Sequence, residues 1–107
     1  MSETLRLVQV LVAEDKVRIS DHAYEELVID HLLLDEVLRG VSSGILVEDY
    51  PDAFKGPSVL VLQDHSNKPV HVVWGLPKHG ADYVTLVTAY LPDPKKWYDG
   101  YSHRRPK

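Results

Sequence analysis

The chain has 107 residues, 44% of them hydrophobic and 26% charged, which predicts one globular domain and excludes a disordered chain. A formal net charge of −4 argues against a surface dominated by nucleic-acid binding, although it allows a local basic patch. The absence of cysteine excludes disulfides, thiolate catalysis and cysteine-based zinc sites. No signal-peptide pattern and no run of roughly 20 apolar residues is present, so we expect a cytoplasmic protein without a membrane span.

The first part of the chain carries helical patterns. Residues 4–16 place apolar side chains at the spacing of an amphipathic helix. Residues 17–19 are interpreted as a short extended link. A second helix is predicted over residues 22–29 and a third over residues 36–42. Residues that favour the position before a helix precede both, namely Ser20 or Asp21 and Asp35.

After Gly44 the apolar period changes from helical to alternating, which is typical of strands. Proline and glycine divide this part into four predicted strands, at residues 45–50, 58–64, 70–76 and 83–91. The expected fold is α+β, with two or three N-terminal helices packed on one face of a four-stranded antiparallel β-meander. We assign residues 1–97 to this domain and residues 98–107 to a flexible basic tail.

One strand carries a histidine among apolar residues, and the functional hypothesis begins there. His71 lies in the middle of the third predicted strand, where an imidazole requires a hydrogen-bonding partner. Antiparallel pairing with the fourth strand places His71 near Tyr90. Simple alternation puts Tyr90 on the same face of its strand as Thr88, Leu86 and Val84. Both a catalytic pair and a structural polar pair fit this arrangement.

Six short motifs follow one another in the chain at spacings that together resemble a known family. They are Ile19-Ser20-Asp21-His22-Ala23, Asp35-Glu36-Val37 with Gly40, Val47-Glu48-Asp49-Tyr50-Pro51, Pro57-Ser58-Val59-Leu60, Pro69-Val70-His71-Val72-Val73, and Thr88-Ala89-Tyr90-Leu91-Pro92 with Trp97. The order and spacing resemble the bacterial domain-of-unknown-function family 4258. The resemblance extends from about Ile19 to Trp97, which is most of the chain.

That family is similar in fold to the small ribonuclease toxins of the RelE and MqsR type and to barnase-like ribonucleases. The resemblance therefore implies a toxin-related endoribonuclease that cleaves RNA and is inhibited by an antitoxin protein. We expect no cofactor. One departure concerns the helix after His22-Ala23, where the family usually carries arginines. This chain has Glu25, Glu26 and Asp30 there, so we do not expect this helix to bind an RNA backbone.

Metal-independent RNA cleavage requires a proton acceptor, a proton donor and positive charge near the phosphate. The candidates for proton transfer are His71, Tyr90 and His22, and the candidates for substrate binding are Lys68, Arg18 and Thr88. A structural interpretation stands beside the catalytic one, because His22 can also fix its helix on the sheet by a hydrogen bond. The six histidines show no helical i, i+4 pair of the kind that binds zinc, so no metal site is expected.

Two further segments carry charge. Adjacent carboxylates at Glu48 and Asp49 alternate sides of a strand, so they cannot act as a dyad, and an exposed edge position is favoured. The basic, tyrosine-containing tail at residues 98–107 has the composition of a single-strand nucleic-acid contact, but a solvated end is favoured. The rival to the ribonuclease hypothesis is an interaction module that keeps the fold without the chemistry. A small-molecule-binding domain is a third possibility, with no positive signature in the sequence.

Overall fold

A computed structural model, which describes residues 2–97 and 100–104, shows three helices and five strands in one α+β unit. The helices are α1 (Glu3–Ala13), α2 (Asp21–Ile29) and α3 (Leu34–Gly40), and a single 3₁₀ turn, Val41–Ser43, follows α3. The strands are β1 (Val17–Ile19), β2 (Ile45–Tyr50), β3 (Ser58–His65), β4 (Lys68–Gly75) and β5 (Val84–Tyr90). None of the helices in this part of the chain has the length and apolar character needed to cross a membrane.

The sheet is mixed, with the strand order β1-β5-β4-β3-β2. The α+β class is confirmed, but the prediction of four antiparallel strands is wrong. Residues 17–19, interpreted as a link, form a fifth strand that runs parallel to β5, with Val17 opposite Val84 and Ile19 opposite Leu86. A three-residue segment is too short to show the alternation of a strand, and its partner lies far along the chain.

Two of the helices begin as their sequences require. Ser2 accepts a hydrogen bond from the Leu5 amide at the start of α1, at 3.1 Å. Ser20 accepts from the Ala23 amide at the start of α2, at 3.0 Å, which confirms one of the two predicted caps. The predicted cap of the third helix, Asp35, is wrong because α3 starts at Leu34, two residues earlier than predicted, with Leu33 at the cap position. There His65 Nε2 accepts from the Leu33 amide at 2.8 Å, a contact between distant parts of the chain.

The core lies between the three helices and one face of the sheet. Its fully buried sheet residues are Val59, Val61, Val70, Val72, Trp74, Val84, Leu86 and Ala89. Gln63 is buried among them and links the sheet to α3. Its side-chain oxygen accepts a hydrogen bond from Trp74 Nε1 at 2.9 Å, and its nitrogen donates to the Val37 carbonyl at 2.8 Å. Both partners are buried, so Gln63 satisfies two groups that have no access to water.

A bulge in β5 decides which side chains face away from the helices. Val73 pairs with Thr88, but the next residue of β4 pairs with Leu86, so Val87 is an extra residue on β5. One extra residue inverts the alternation beyond it. Tyr90 and Thr88 therefore lie on the sheet face opposite the helices, called the helix-free face from here on, while Leu86 and Val84 lie in the core. The expectation that these four side chains share a face is wrong.

A second bulge has the same effect at the sheet edge. Leu46 pairs with Val61 and packs against the core, whereas Glu48 pairs with Leu60. Val47 is the extra residue between them. Strict alternation would place Glu48 on the same face as Leu46, against the apolar core. The bulge instead moves Glu48 to the helix-free face.

Replacing Gln63 tests this link between sheet and helix. We expect Gln63→Ala to lower the free energy of unfolding by about 2–4 kcal/mol, because it leaves the Trp74 N–H and the Val37 carbonyl without partners. The matched control is Gln9→Ala, whose side chain donates to the Val41 carbonyl from a partly buried position that water can reach. Urea denaturation measures both losses. Equal losses for the two variants would contradict the role assigned to Gln63.

Candidate functional site

His71 lies on the helix-free face but is inaccessible to solvent, with 0% of its surface exposed. It stands opposite Leu62 on β3 and Tyr90 on β5, so the predicted proximity of His71 and Tyr90 is confirmed. The three helices of the described residues pack against the opposite, core face of the sheet. Residues near the C-terminus contact the helix-free face instead: the Trp97 ring and the Tyr101 carbonyl lie against His71, and Arg104 pairs with Glu48. We call Trp97 and residues 100–104 the C-terminal cover. The residues between them, 98 and 99, lie outside the described residues, as do residues 105–107.

The cover contacts His71 from two directions. The Trp97 ring packs edge-on against the imidazole, with 4.4 Å between ring centroids, and is itself only 3% exposed. His71 Nε2 donates a hydrogen bond to the Tyr101 carbonyl oxygen at 2.7 Å. On the sheet itself, the Tyr90 ring meets the imidazole at 5.5 Å, also edge-on. Residues 100–104, assigned from sequence to the tail, thus pack on the domain.

This geometry fixes the tautomer of His71. A carbonyl oxygen only accepts hydrogen bonds, so the ring proton is on Nε2 and Nδ1 carries a free lone pair. Of the buried side-chain nitrogen and oxygen atoms in the part of the chain that the structure describes, His71 Nδ1 alone lacks a hydrogen-bond partner. A buried acceptor without a partner is costly, and native structures keep few of them. The unpaired Nδ1 of His71 is therefore the unusual chemical feature of the helix-free face.

Burial also sets the protonation states. Burial lowers the pKa of His71 below its ordinary value of 6.5, and the hydrogen bond to Tyr101 opposes this effect without cancelling it. The imidazole is therefore neutral at pH 7 and able to accept a proton. Burial raises the pKa of Tyr90 above its ordinary value of 10.0, so its hydroxyl keeps its proton. The pair thus combines a proton acceptor with a proton donor.

A charged group lies beside this pair. The Arg104 guanidinium of the cover donates to the Glu48 carboxylate at 3.1 and 3.4 Å and stacks 4.6 Å from the Trp97 ring centre. The Tyr50 hydroxyl donates to the same carboxylate. Partial burial by itself raises the pKa of Glu48, but the hydrogen bonds from Arg104 and Tyr50 outweigh it, and the net pKa is lowered. Glu48 is thus a carboxylate, held by the cover.

The other predicted site residues are distributed over the molecule. Thr88 lies on the helix-free face, two residues from Tyr90. His22 is exposed in the first turn of α2, which packs against β5, and is not part of the cluster. Lys68 is at the start of β4 and lines a separate depression together with His31 and His65. The structure therefore joins His71, Tyr90 and Thr88 but not His22 or Lys68.

Arg18 lies on β1, and its guanidinium stacks 3.8 Å from the centre of the Tyr83 ring. Tyr83 lines an open groove of about 350 Å³ that continues the helix-free face beyond His71. Other lining residues are Val73, Gly75, Thr85, Val87 and Lys55. Lys55 is the one charged side chain among the lining residues. Arg18 thus contacts the groove wall and not the His71 cluster.

Sequence reasoning missed four members of the cluster: Glu48, Tyr50, Trp97 and Arg104. The first two face His71 only because of the bulge at Val47, which leaves no mark in the apolar pattern. The last two belong to a segment without an apolar period. Its basic and aromatic composition was the one feature of the sequence that could have indicated a contact with the domain. Within residues 2–97 and 100–104, no three histidine, aspartate or glutamate side chains lie close enough together to hold a metal ion.

Comparison with known families agrees with the motifs. The profile of a family described as a domain of unknown function (DUF4258) matches residues 19–91, more than half of the chain, so the chain belongs to this family. The resemblance predicted from the six motifs is confirmed. Searches of curated proteins and of solved structures found no significant match. The relation to RelE- and MqsR-type toxins stays a prediction.

The buried imidazole predicts a pH-dependent stability. The pKa of His71 is lower in the folded chain than its ordinary value of 6.5, so the unfolded chain takes up the proton first. The free energy of unfolding should therefore fall as the pH is lowered below about 6.5, by at most about 1.4 kcal/mol per pH unit. His71→Gln keeps a donor for Tyr101 without titrating, and we expect a smaller slope between about pH 7.5 and about pH 5.5.

Urea denaturation at several pH values measures the slope. Val72→Ala serves as the control, because it removes buried volume beside His71 but no titrating group. It should lower the stability at every pH and keep the wild-type slope. If the slope of the His71→Gln protein equalled that of the wild type, the pH dependence of stability could not be assigned to His71.

Proposed function

We propose that the protein is a metal-independent endoribonuclease of the toxin type, with His71 and Tyr90 as its proton-transfer groups. The observation that carries this proposal is the neutral, buried imidazole whose Nδ1 has no partner and whose neighbour is a protonated tyrosine. The resemblance to RelE- and MqsR-type toxins supplies the rest of the proposal: RNA as substrate, an antitoxin protein as inhibitor and a cytoplasmic location.

The reaction needs only groups that this face carries. Neutral His71 accepts the proton of a ribose 2′-hydroxyl, and the 2′-oxygen attacks the adjacent phosphorus. The bond from phosphorus to the 5′-oxygen breaks, and Tyr90 donates its proton to that leaving oxygen. The products are a 2′,3′-cyclic phosphate and a free 5′-hydroxyl. Proton transfer from His71 to Tyr90 then restores the starting states.

The open groove supports a path for the substrate. Tyr83 offers a ring for stacking with a base, while Lys55 and Arg18 offer positive charge to the backbone. Thr88 lies on the same face, between the groove and Tyr90. A single strand laid along this face would run from the groove to His71. This path keeps the RNA away from α2, which is an acidic helix without lysine or arginine.

A specific observation favours a second function, that of a protein-interaction module without catalysis. His71 is fully covered, so the observed conformation offers no substrate access to it. In this alternative, His71, Glu48 and Tyr50 fasten the C-terminal cover to the sheet. The chain then acts through its surface, and it cleaves no RNA.

Cleavage of total bacterial RNA by the purified protein, with growth after induced expression as a second readout, tests the proposal. His71→Ala should lower the cleavage rate by about 100-fold or more, because it removes the proton acceptor. Tyr90→Phe removes only the hydroxyl group that donates the proton and should lower the cleavage rate by about 10-fold or more. The matched control is His22→Ala, an exposed histidine outside the cluster, which should cleave like the wild type.

Circular dichroism shows whether each variant keeps its fold. Retention of full cleavage by a folded His71→Ala protein would overturn the assignment of His71. Absence of cleavage and of growth arrest would favour the interaction module, provided that variants in which the C-terminal cover is weakened and His71 is exposed also cleave no RNA.

A further inference from the structure

We propose that the C-terminal cover is an intramolecular gate, which holds the His71 cluster closed and must leave the helix-free face before a substrate can reach it. The part of this inference that concerns RNA rests on the proposed function. The part that concerns access to His71 does not. The inference follows from three contacts of the cover, from the way it is fastened and from the backbone of its turn.

The three contacts occupy the positions that a substrate would need. The Tyr101 carbonyl oxygen accepts the hydrogen bond from His71 Nε2 at 2.7 Å, so Nε2 cannot donate to a substrate oxygen. The Trp97 ring covers the imidazole and leaves it with no exposed surface. The Arg104 guanidinium is paired with Glu48, so the carboxylate cannot act on another group. In the closed state, each of these contacts excludes a ligand.

The cover is not one of the five strands of the sheet, and its described contacts with the sheet are few. It follows the turn after β5, and its antiparallel bridge, between Trp97 and Arg104, lies within the cover itself. The ion pair to Glu48 is solvent-exposed on the arginine side, with 52% of the Arg104 side chain accessible, and such pairs contribute little to stability. Segments with few buried contacts open far more readily than the whole domain unfolds. Trp97 provides the main apolar contact.

The turn of the cover adds strain. Gly100 has a φ of 89° and Tyr101 a φ of 60°, so two successive residues adopt left-handed backbone. This turn brings the Tyr101 carbonyl over His71. Glycine adopts such a φ at no cost, but tyrosine does not. The conformation is therefore held by the contacts of the cover, and substitutions in the turn can shift it in either direction.

The two turn residues give a test with different predicted outcomes. Gly100→Ala adds a methyl group that meets no atom within 4 Å, so its effect comes from the left-handed backbone alone, and it should open the cover. Tyr101→Gly relieves strain in the turn and should keep the cover closed. Trp97→Ala removes the main apolar contact and should open it most. The control is Gly80→Ala, with a φ of 83° in another loop, which should leave the cover as it is.

The readout is the rate at which diethyl pyrocarbonate modifies His71, followed by mass spectrometry of the peptide that contains it. We expect at least about a fivefold faster rate in Gly100→Ala and a larger increase in Trp97→Ala, with wild-type rates in Tyr101→Gly and Gly80→Ala. Equal rates in all proteins, with His71 modified in the wild type as fast as the exposed His22, would overturn the gate.

RNA cleavage by the same proteins separates this inference from the proposed function. Cleavage that rises with the His71 modification rate supports both. Faster modification without any cleavage supports the gate and overturns the ribonuclease. Measurable cleavage that stays constant while the modification rate rises supports the gate over His71 but overturns His71 as the proton acceptor of the reaction, since access to His71 then does not limit cleavage.

Discussion

The hydrogen bond from His71 Nε2 to the Tyr101 carbonyl is the contact on which the arrangement of the His71 cluster depends. It determines the tautomer, so the lone pair of Nδ1 remains free. It also holds the cover over the ring, and the resulting burial lowers the pKa of His71 and keeps it neutral. The Trp97 ring of the same cover packs against the imidazole and completes its burial.

Two bulges position the groups around that contact. The extra residue in β5 moves Tyr90 and Thr88 to the helix-free face, and the extra residue in β2 does the same for Glu48. In each case, apolar residues on the other side of the bulge stay in the core. A protein can in this way place polar side chains on one face without weakening the apolar face behind it. The cluster around His71 is thus a product of local irregularity in a regular sheet.

These features explain what the sequence could and could not predict. Strands β2 to β5 were predicted because the alternation of apolar residues is a local property of the sequence. Helix α2 was predicted because its cap, Ser20, is local as well. The family followed from short motifs in order, and His71 and Tyr90 followed from antiparallel pairing. The parallel strand β1 and the partners of Glu48 were not predictable, since long-range pairing and bulges decide them. Tyr101 and Arg104 were assigned to a tail because they belong to a segment without an apolar period, and neither the backbone contact of Tyr101 nor the ion pair of Arg104 leaves a pattern in the sequence.

The most direct test of this account is the tautomer of His71, measured by long-range ¹H–¹⁵N correlation NMR at neutral pH. We predict a neutral ring with its proton on Nε2, a slowly exchanging Nε2 proton and the chemical shift of an unprotonated nitrogen at Nδ1. A proton on Nδ1, or a ring that averages rapidly between both tautomers, would contradict the account. It would show that the Tyr101 carbonyl does not hold His71, and that the C-terminal cover does not close over it.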